Sequence, residues 1–346
     1  MQEINLKNCI GGEAMSRKDF DLNMDDKQMK TLMKRAKRKQ FFRNFVISIF
    51  ASTLVIIGSF TLIVYLKQKN FNEMERRVFA EQTVKGPNIK FYSHRKLNMG
   101  LMSDSIMYSS YKNISGQPVK WIDEIYEYDV WGYMSRSHNG NTQLDEGPPE
   151  GSGTRIDYNI QTMQREMRFY LPFMKYENYV NDLKGIGDLK NKVAEVGLSF
   201  DKAYTMDEIM RILPKNVQPV WFWVDTYDEK KADKYVGLID STGAVLNAEK
   251  STIVYGFTGS YAKKEEDMRM DFDRNSKGFI GAMKTLAEDE RHVDDAKDSY
   301  KEIKNTKPKD LSIYGVVVTG KTEDLQSLQG SPYIKAAVRG VTVEKY

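Results

Sequence analysis

SIYGVVVTGKTEDLQSLQGSPYIKAAVRGVTV, residues 312–343, is the stretch whose reading decides the fold. Two structures compete for it. Gly315-Val-Val-Val-Thr-Gly320-Lys321-Thr322 has the G-x4-G-K-[ST] spacing of a phosphate-binding loop. Such a loop curls its middle residues so that backbone N–H groups point at phosphate. Val316, Val317, Val318 and Thr319 are β-branched, however, and favour an extended chain. The strand reading prevails. It predicts a strand over 312–319, a turn at Gly320, a helix opening at Thr322 as its cap, and a second strand over 334–343.

Working outward, VAEVGLSFDKAYTMDEIMRILPKNVQPVWFWVDTY (193–227) has the same order. Val193–Phe200 is mostly apolar, Thr205-x-x-Glu208 is a capping box ahead of Ile209–Leu213, and Val220–Asp225 reads as a strand carrying Trp221 and Trp223. The two stretches predict related strand–helix–strand units. A polar helix is expected between them at about 276–304, with Phe279, Ile280, Met283 and Leu286 facing the core. Upstream, Ile89–Tyr92, Ile106–Tyr111 and Trp121–Val130 read as strands, LDEGPPEGSG (144–153) as an exposed loop, and about Asp157 to Lys184 as a helix broken at Pro172. The fold class expected over 86–346 is therefore α/β (α+β) with strand–helix–strand units.

Further out lies NFVISIFASTLVIIGSFTLIVYL, Asn44 to Leu66, without a charge. At about 1.5 Å per residue it matches the roughly 30 Å of bilayer hydrocarbon. The long segment before it and the lack of a small-x-small cleavage pattern after it favour an uncleaved anchor over a signal peptide. Residues 30–43 hold seven Lys and Arg and no acid; residues 67–86 hold five, mixed with Glu73, Glu75 and Glu81. The positive-inside rule then places the N-terminus in the cytoplasm and the large domain outside. Phe41, Phe42 and Tyr65 suit interfacial anchors. The expected layout is a basic tail (1–43), a transmembrane helix (44–66), a charged stalk (67–85) and an extracytoplasmic domain (86–346).

Within the tail, Met29, Leu32, Met33 and Ala36 fall at i, i+3, i+4 and i+7, one face of a helix over about 24–40. Asn23 suits its N-cap, and Asp25 and Asp26 suit the positive end of its dipole. A Met-rich face with no core of its own fits two roles, a juxtamembrane anchor on acidic lipid or a docking helix for a cytoplasmic partner.

Composition narrows the function. The chain has 346 residues, 40% hydrophobic and 12% aromatic, enough for a sizeable core. Residues 1–43 hold 11 Lys and Arg against 6 Asp and Glu, a net +5 against +4 for the whole chain, which leaves −1 for the rest. The basic tail is explained by topology and acidic lipid, with no direct nucleic-acid contact expected. The one cysteine, Cys9, is in the tail, and His94, His138 and His292 lack ligand spacing, so no metal or cofactor is expected. Asp271-Phe-Asp273-Arg-Asn275 opens like a calcium loop, but Ser276 and Ala282 replace the required Gly and Glu, and it reads as a solvated acidic turn. Glu124, Glu127 and Asp129 on one strand, and Asp145, Glu146 and Glu150 in a loop, offer carboxylates for glycan hydrolysis, a minor reading. The four tryptophans, Trp121, Trp131, Trp221 and Trp223, read as core more often than as a ligand platform.

YKNISGQPVKW (111–121), VAEVGLSFDKAYTMDEI (193–209), VQPVWFWVDTY (217–227), IVYGF (253–257) and GVVVTGKTEDLQSLQGSPYIKAAVRGVTV (315–343) resemble the C-terminal domain of the sigma factor regulator family. LMKRAKRKQFFRNFVISIFASTLVIIGSF (32–60) resembles its N-terminal module. The family contains membrane-bound anti-sigma factors of Gram-positive bacteria. The resemblance implies that the cytoplasmic segment holds an extracytoplasmic-function sigma factor at the membrane while the outer domain senses envelope stress. It supplies no catalytic residues. The zinc anti-sigma pattern H-x3-C-x2-C is absent, because the tail has no His. The tail is short for a complete sigma-binding unit, which points to a small membrane helper subunit. The competing readings are an envelope-binding or assembly scaffold without sigma binding and, behind it, an exported enzyme.

Overall fold

The structure is a computed structural model that describes residues 25–138, 144–145, 156–230, 235, 244–245, 248–262, 264–289 and 294–345. The chain divides into two compact units, Met1–Leu62 and Ile63–Tyr346. Helix α1 (Asp26–Val84) contributes to both. No proline interrupts it, and Gly86, at φ +76°, followed by Pro87, stops it. Every residue from 25 to 62 is exposed.

In the second unit the last turns of α1 belong to the fold. Residues 67–84, expected as a charged stalk, bury Met74, Val78, Ala80 and Val84. They pack on a four-stranded antiparallel meander of β1 (Ile89–Met99), β2 (Ser103–Ile114), β3 (Gln117–Asp129) and β4 (Met134–His138). Strand side chains alternate between faces, so Ile106 and Tyr108 of β2 and Tyr126 and Tyr128 of β3 meet Met74 and Val78 in one core. The three strands expected over 89–130 are parts of β1, β2 and β3. Of the loop expected at 144–153, Leu144–Asp145 form a short strand, β5, paired with β6 (Asp157–Tyr158), and the rest lies outside the described residues.

The helix expected from about Asp157 to Lys184 is absent. Its place is taken by β6, by β7 (Arg168–Phe169) and by turns, with short 3-10 segments at Asp182–Lys184 and Ile186–Asp188. Residues 166–171 are all buried in succession, which a one-faced helix does not allow. Side chains replace the helical ladder. Leu171 N–H donates to the Tyr176 hydroxyl, Tyr176 N–H to that of Tyr179, Val180 N–H to that of Tyr170, and Tyr170 N–H to Ser199 Oγ. Lys335 Nζ donates to the carbonyls of Leu171, Pro172 and Met174.

This aromatic segment covers one face of the main sheet. The sheet contains β8 (Lys192–Tyr204), β9 (Gln218–Val224), β11 (Gly256–Thr258), β12 (Ile313–Lys321) and β13 (Ile334–Glu344), in the order β11-β9-β12-β8-β13; the short β10 (Glu249–Lys250) pairs with β7 instead. Neighbouring strands are antiparallel. Because β8 and β9 both oppose β12, they are parallel to each other, and α2 (Met206–Ile212) lies between them in the chain. Likewise β12 and β13 flank β8, with the short α5 (Thr322–Leu325) between them. The architecture is thus α+β with antiparallel sheets.

β12 is the middle strand and is buried along all but its last residue. Val316 and Val318 join the core on the helical face, with Ile209, Phe279, Met283 and Leu325; Val317 and Tyr314 join the opposite core, with Phe169, Trp221 and Trp223. Covered on both faces, the strand reads as a continuous apolar run. It extends through Gly320, so no turn occurs there, and Thr322 is the first helical residue rather than the cap. The Thr322 hydroxyl donates to the carbonyls of Leu189 and Lys192. The capping box at Thr205 forms as expected, with both reciprocal hydrogen bonds.

The helix expected at 276–304 begins earlier and is divided. α3 (Glu265–Glu288) buries Phe272, Phe279, Met283 and Leu286, with Ile280 packed beside them, and α4 (Asp294–Ile303) follows. Asp271 and Asp273 therefore stand on a helix rather than in a turn, paired with Arg274 and Lys277.

Candidate functional site

Sequence reasoning singled out residues in both units, and each unit carries its own candidate. In the first, Asp25 is the residue before α1, and its carbonyl accepts from Gln28 and Met29 N–H. Asn23 lies outside the described residues. Met29, Leu32, Met33 and Ala36 are helical and exposed. At 3.6 residues per turn these positions share one face. Lys30, Lys34, Arg35, Lys37, Arg38, Lys39 and Arg43 surround that face with positive charge. Asn44 to Leu66 continues the same helix. Among the described residues this is the one helix long and apolar enough to cross a membrane, and it fits a single-pass membrane protein. Phe41, Phe42 and Tyr65 are exposed at its ends, and the Phe41 and Phe45 rings stack at 6.4 Å.

In the second unit a cavity of about 200 Å³ lies between the last turns of α1, the meander and the segment at 159–166. Glu81, Lys85, Glu124, Arg136 and Glu166 line it beside Trp121. Arg136 bridges Glu81, at 3.3 Å, and Glu124, in a short contact; Glu124 also accepts from the Tyr126 hydroxyl at 3.0 Å. Burial pulls the Lys85 ammonium below its usual range, with Glu81 acting in the opposite direction, and Lys85 lies 5.1 Å from the centre of the Tyr255 ring. Burial pushes Glu166 upward, opposed by Lys112 and by hydrogen bonds from Asn159 (3.3 Å) and Ser251 (3.1 Å).

Behind this cavity is a buried ion pair that sequence reasoning missed. Lys112 Nζ and Glu195 Oε1 are 2.7 Å apart, with side chains 1% and 0% exposed. Asn88 Nδ2 and Val341 N–H also donate to Glu195, and Lys112 sits 4.1 Å over the Trp121 ring. The pair ties β2 of the meander to β8 of the main sheet. A signal existed: Glu195 is the lone charge within VAEVGLSF, and Lys112 falls on the inward period of β2.

The three β3 carboxylates considered for acid–base chemistry have separate surroundings. Glu124 is buried and engaged by Arg136, Glu127 is exposed, and Asp129 Oδ1 accepts from the N–H groups of Trp131 and Tyr133. The side chains of Asp145, Glu146 and Glu150 lie outside the described residues, as do Cys9 and His292. His94 rests 5.9 Å from the Tyr108 ring, and His138 pairs with Glu124 across the β3–β4 register. No group of three His, Cys, Asp or Glu among the described residues is placed to hold a metal. Trp121, Trp221 and Trp223 are core residues, whereas Trp131 is 82% exposed.

A helix fit to cross a bilayer, an exposed apolar stripe before it and an α+β domain after it fit the layout of a membrane-bound regulator. Residues 30–119 match the sigma factor regulator N-terminal domain, and residues 183–341 the sigma factor regulator C-terminal domain. The chain belongs to the sigma factor regulator family. No curated protein and no solved structure matches it. The family is regulatory, and its domains point to an anti-sigma-factor-type regulator with a sigma factor as partner.

Proposed function

We propose that this chain is a membrane-anchored anti-sigma factor. Its cytoplasmic segment sequesters an extracytoplasmic-function sigma factor through Met29, Leu32, Met33 and Ala36. The part that follows the span, residues 67–346, responds to envelope stress from the far side of the bilayer and carries no catalytic role. The observation that carries the reading is the exposed apolar stripe on α1, of which Leu32, Met33 and Ala36 lie inside the segment matching the family's N-terminal domain. Exposed methionine and leucine on a helix suit a groove on a partner protein. Seven cations and no acid at 30–43, against the mixed flank at 67–86, support a cytoplasmic N-terminus. Release of the sigma factor then requires two states of the docking helix whose balance the outer domain shifts.

The test is co-purification of residues 1–66, and of the full chain, with the host's extracytoplasmic-function sigma factors. Capture by the short piece places binding in the tail. Capture by the full chain alone assigns a share to the outer domain or to a small membrane helper subunit. Failure of both with the helper co-expressed rejects the reading in favour of an envelope scaffold. Leu32→Asp or Met33→Asp in the full chain buries a charge at the docking face and is expected to weaken capture by at least about tenfold. Unchanged capture refutes the stripe as the binding face.

A further inference from the structure

The meander has two turns at one end, and they present an apolar surface that the core does not use. Met99, Leu101 and Met102 are exposed at the β1–β2 turn; Trp131 and Tyr133 are exposed at the β3–β4 turn, Met99 by 73% and Trp131 by 82%. The two turns are joined, since Val130 N–H donates to the Met102 carbonyl at 2.9 Å. Neither is loosely built. Gly100 N–H donates to Ser103 O at 2.9 Å, and Asp129 Oδ1 accepts from Trp131 N–H at 2.8 Å and Tyr133 N–H at 2.9 Å. Gly132, at φ +86°, completes the second turn. An indole is thus held out from a well-ordered turn. Contiguous exposed apolar surface of this kind marks a contact with something else.

The position of these turns along α1 identifies the partner. Lys67 is the first residue after the uncharged segment, and its Nζ donates to Gly100 O and to Asp104 Oδ1, each at 2.7 Å. One turn further on, Asn70 Nδ2 donates to Asp129 O at 2.7 Å. Both turns are therefore fastened to the helix within a few residues of Leu66, where each residue advances the helix by only about 1.5 Å. Ile63 and Leu66, in the last apolar turn, are already half-buried within the folded unit. The turns lie beside the last residues of the uncharged stretch.

We infer that the β1–β2 and β3–β4 turns dock on the outer surface of the bilayer, with Met99, Leu101, Met102, Trp131 and Tyr133 in the headgroup–acyl boundary. This rests on the span reading of Asn44–Leu66 and goes beyond sigma binding. Tryptophan and tyrosine favour that boundary, where an apolar ring and a polar atom are both satisfied. The turn N–H groups and the Asp129 carboxylate are engaged internally, which lowers the cost of approaching lipid. Asp104 is neutralised by Lys67, and Lys69 and Lys96 are exposed near the same end, a balance that suits anionic headgroups.

The test uses the full chain in phosphatidylcholine vesicles containing phosphatidylglycerol, with and without brominated acyl chains as quencher. Trp121, Trp221 and Trp223 are enclosed by protein, so the expected result is a quenched emission component that Trp131→Phe removes. A second probe is Leu101→Cys in a Cys9→Ser background, labelled with a polarity-sensitive dye and quenched by the same lipids. Ser52→Cys, inside the span, serves as the depth reference. Quenching at all three positions supports the inference. Quenching at position 52 alone overturns the docking and leaves the span reading intact. No quenching at position 52 overturns both. Emission from position 131 that shifts with protein concentration but is untouched by brominated lipid assigns the surface to a second copy of the chain and also overturns the docking.

Discussion

At the scale of single residues, identity and role part company most clearly at Gly315. In the linear motif it stands where a phosphate-binding loop begins. In the structure it is a residue of the central strand, where a Cβ would collide with the Leu198 carbonyl and the Trp223 ring. Its smallness serves close packing in the sheet. Lys112 and Glu195 teach the complementary lesson. Two charges leave water at a cost that is offset only while both are present and hydrogen-bonded. Lys112→Met strands the Glu195 carboxylate and is expected to destabilise the protein by about 3–5 kcal/mol. Chemical unfolding of the detergent-solubilised protein measures this. Adding Glu195→Gln, which removes the buried charge and keeps one amide oxygen as acceptor, is expected to recover part of the loss; a double variant no better than the single one contradicts the account.

At the scale of elements, α1 obeys two kinds of environment with one backbone. Over Asn44–Leu66 its side chains are uncharged and mostly apolar, as a helix fit to cross a bilayer requires. Over residues 67–84 the charges spread out and a narrow stripe carrying Met74 and Val78 remains, which the meander covers. Met74 is fully buried at this contact. Met74→Ala is expected to cost about 2–5 kcal/mol through lost burial and the cavity left behind. Thermal unfolding should show the loss, and an unchanged midpoint would mean that the stripe is not part of the core. The segment from Asp157 to Lys184 defeats local reading for a related reason. Its buried residues are consecutive, and its backbone is satisfied by its own tyrosine hydroxyls and, from far along the chain, by Ser199 and Lys335. No periodicity within the segment announces partners that lie far along the chain.

At the scale of the whole molecule, the folded unit is held where the meander, the main sheet and the irregular segment meet, and Glu166 marks that junction. Burial raises its carboxyl above its ordinary value of 4.5, so the fold favours the protonated form. Its stabilising contribution is fully present below that ordinary value and is lost as pH rises through the raised one. The melting temperature of the full-length protein should therefore fall as pH rises above that ordinary value, and Glu166→Gln should flatten that fall. An identical profile in the variant assigns the pH dependence to other groups. The sequence by itself determined the long uncharged stretch, the basic flank and its apolar stripe, the capped helix at Thr205 and most of the strand read at 312–319. Each of these is written in neighbouring residues through charge, periodicity or β-branching. Only the tertiary structure decided that β12 lies between β8 and β9, that one face of residues 67–84 packs on the meander, and that Lys112 meets Glu195. It alone placed the turn that carries Trp131 beside Asn70 of α1. These facts depend on contacts between residues distant in the chain, and no local pattern of hydrophobicity or charge specifies which distant partner a buried group will find.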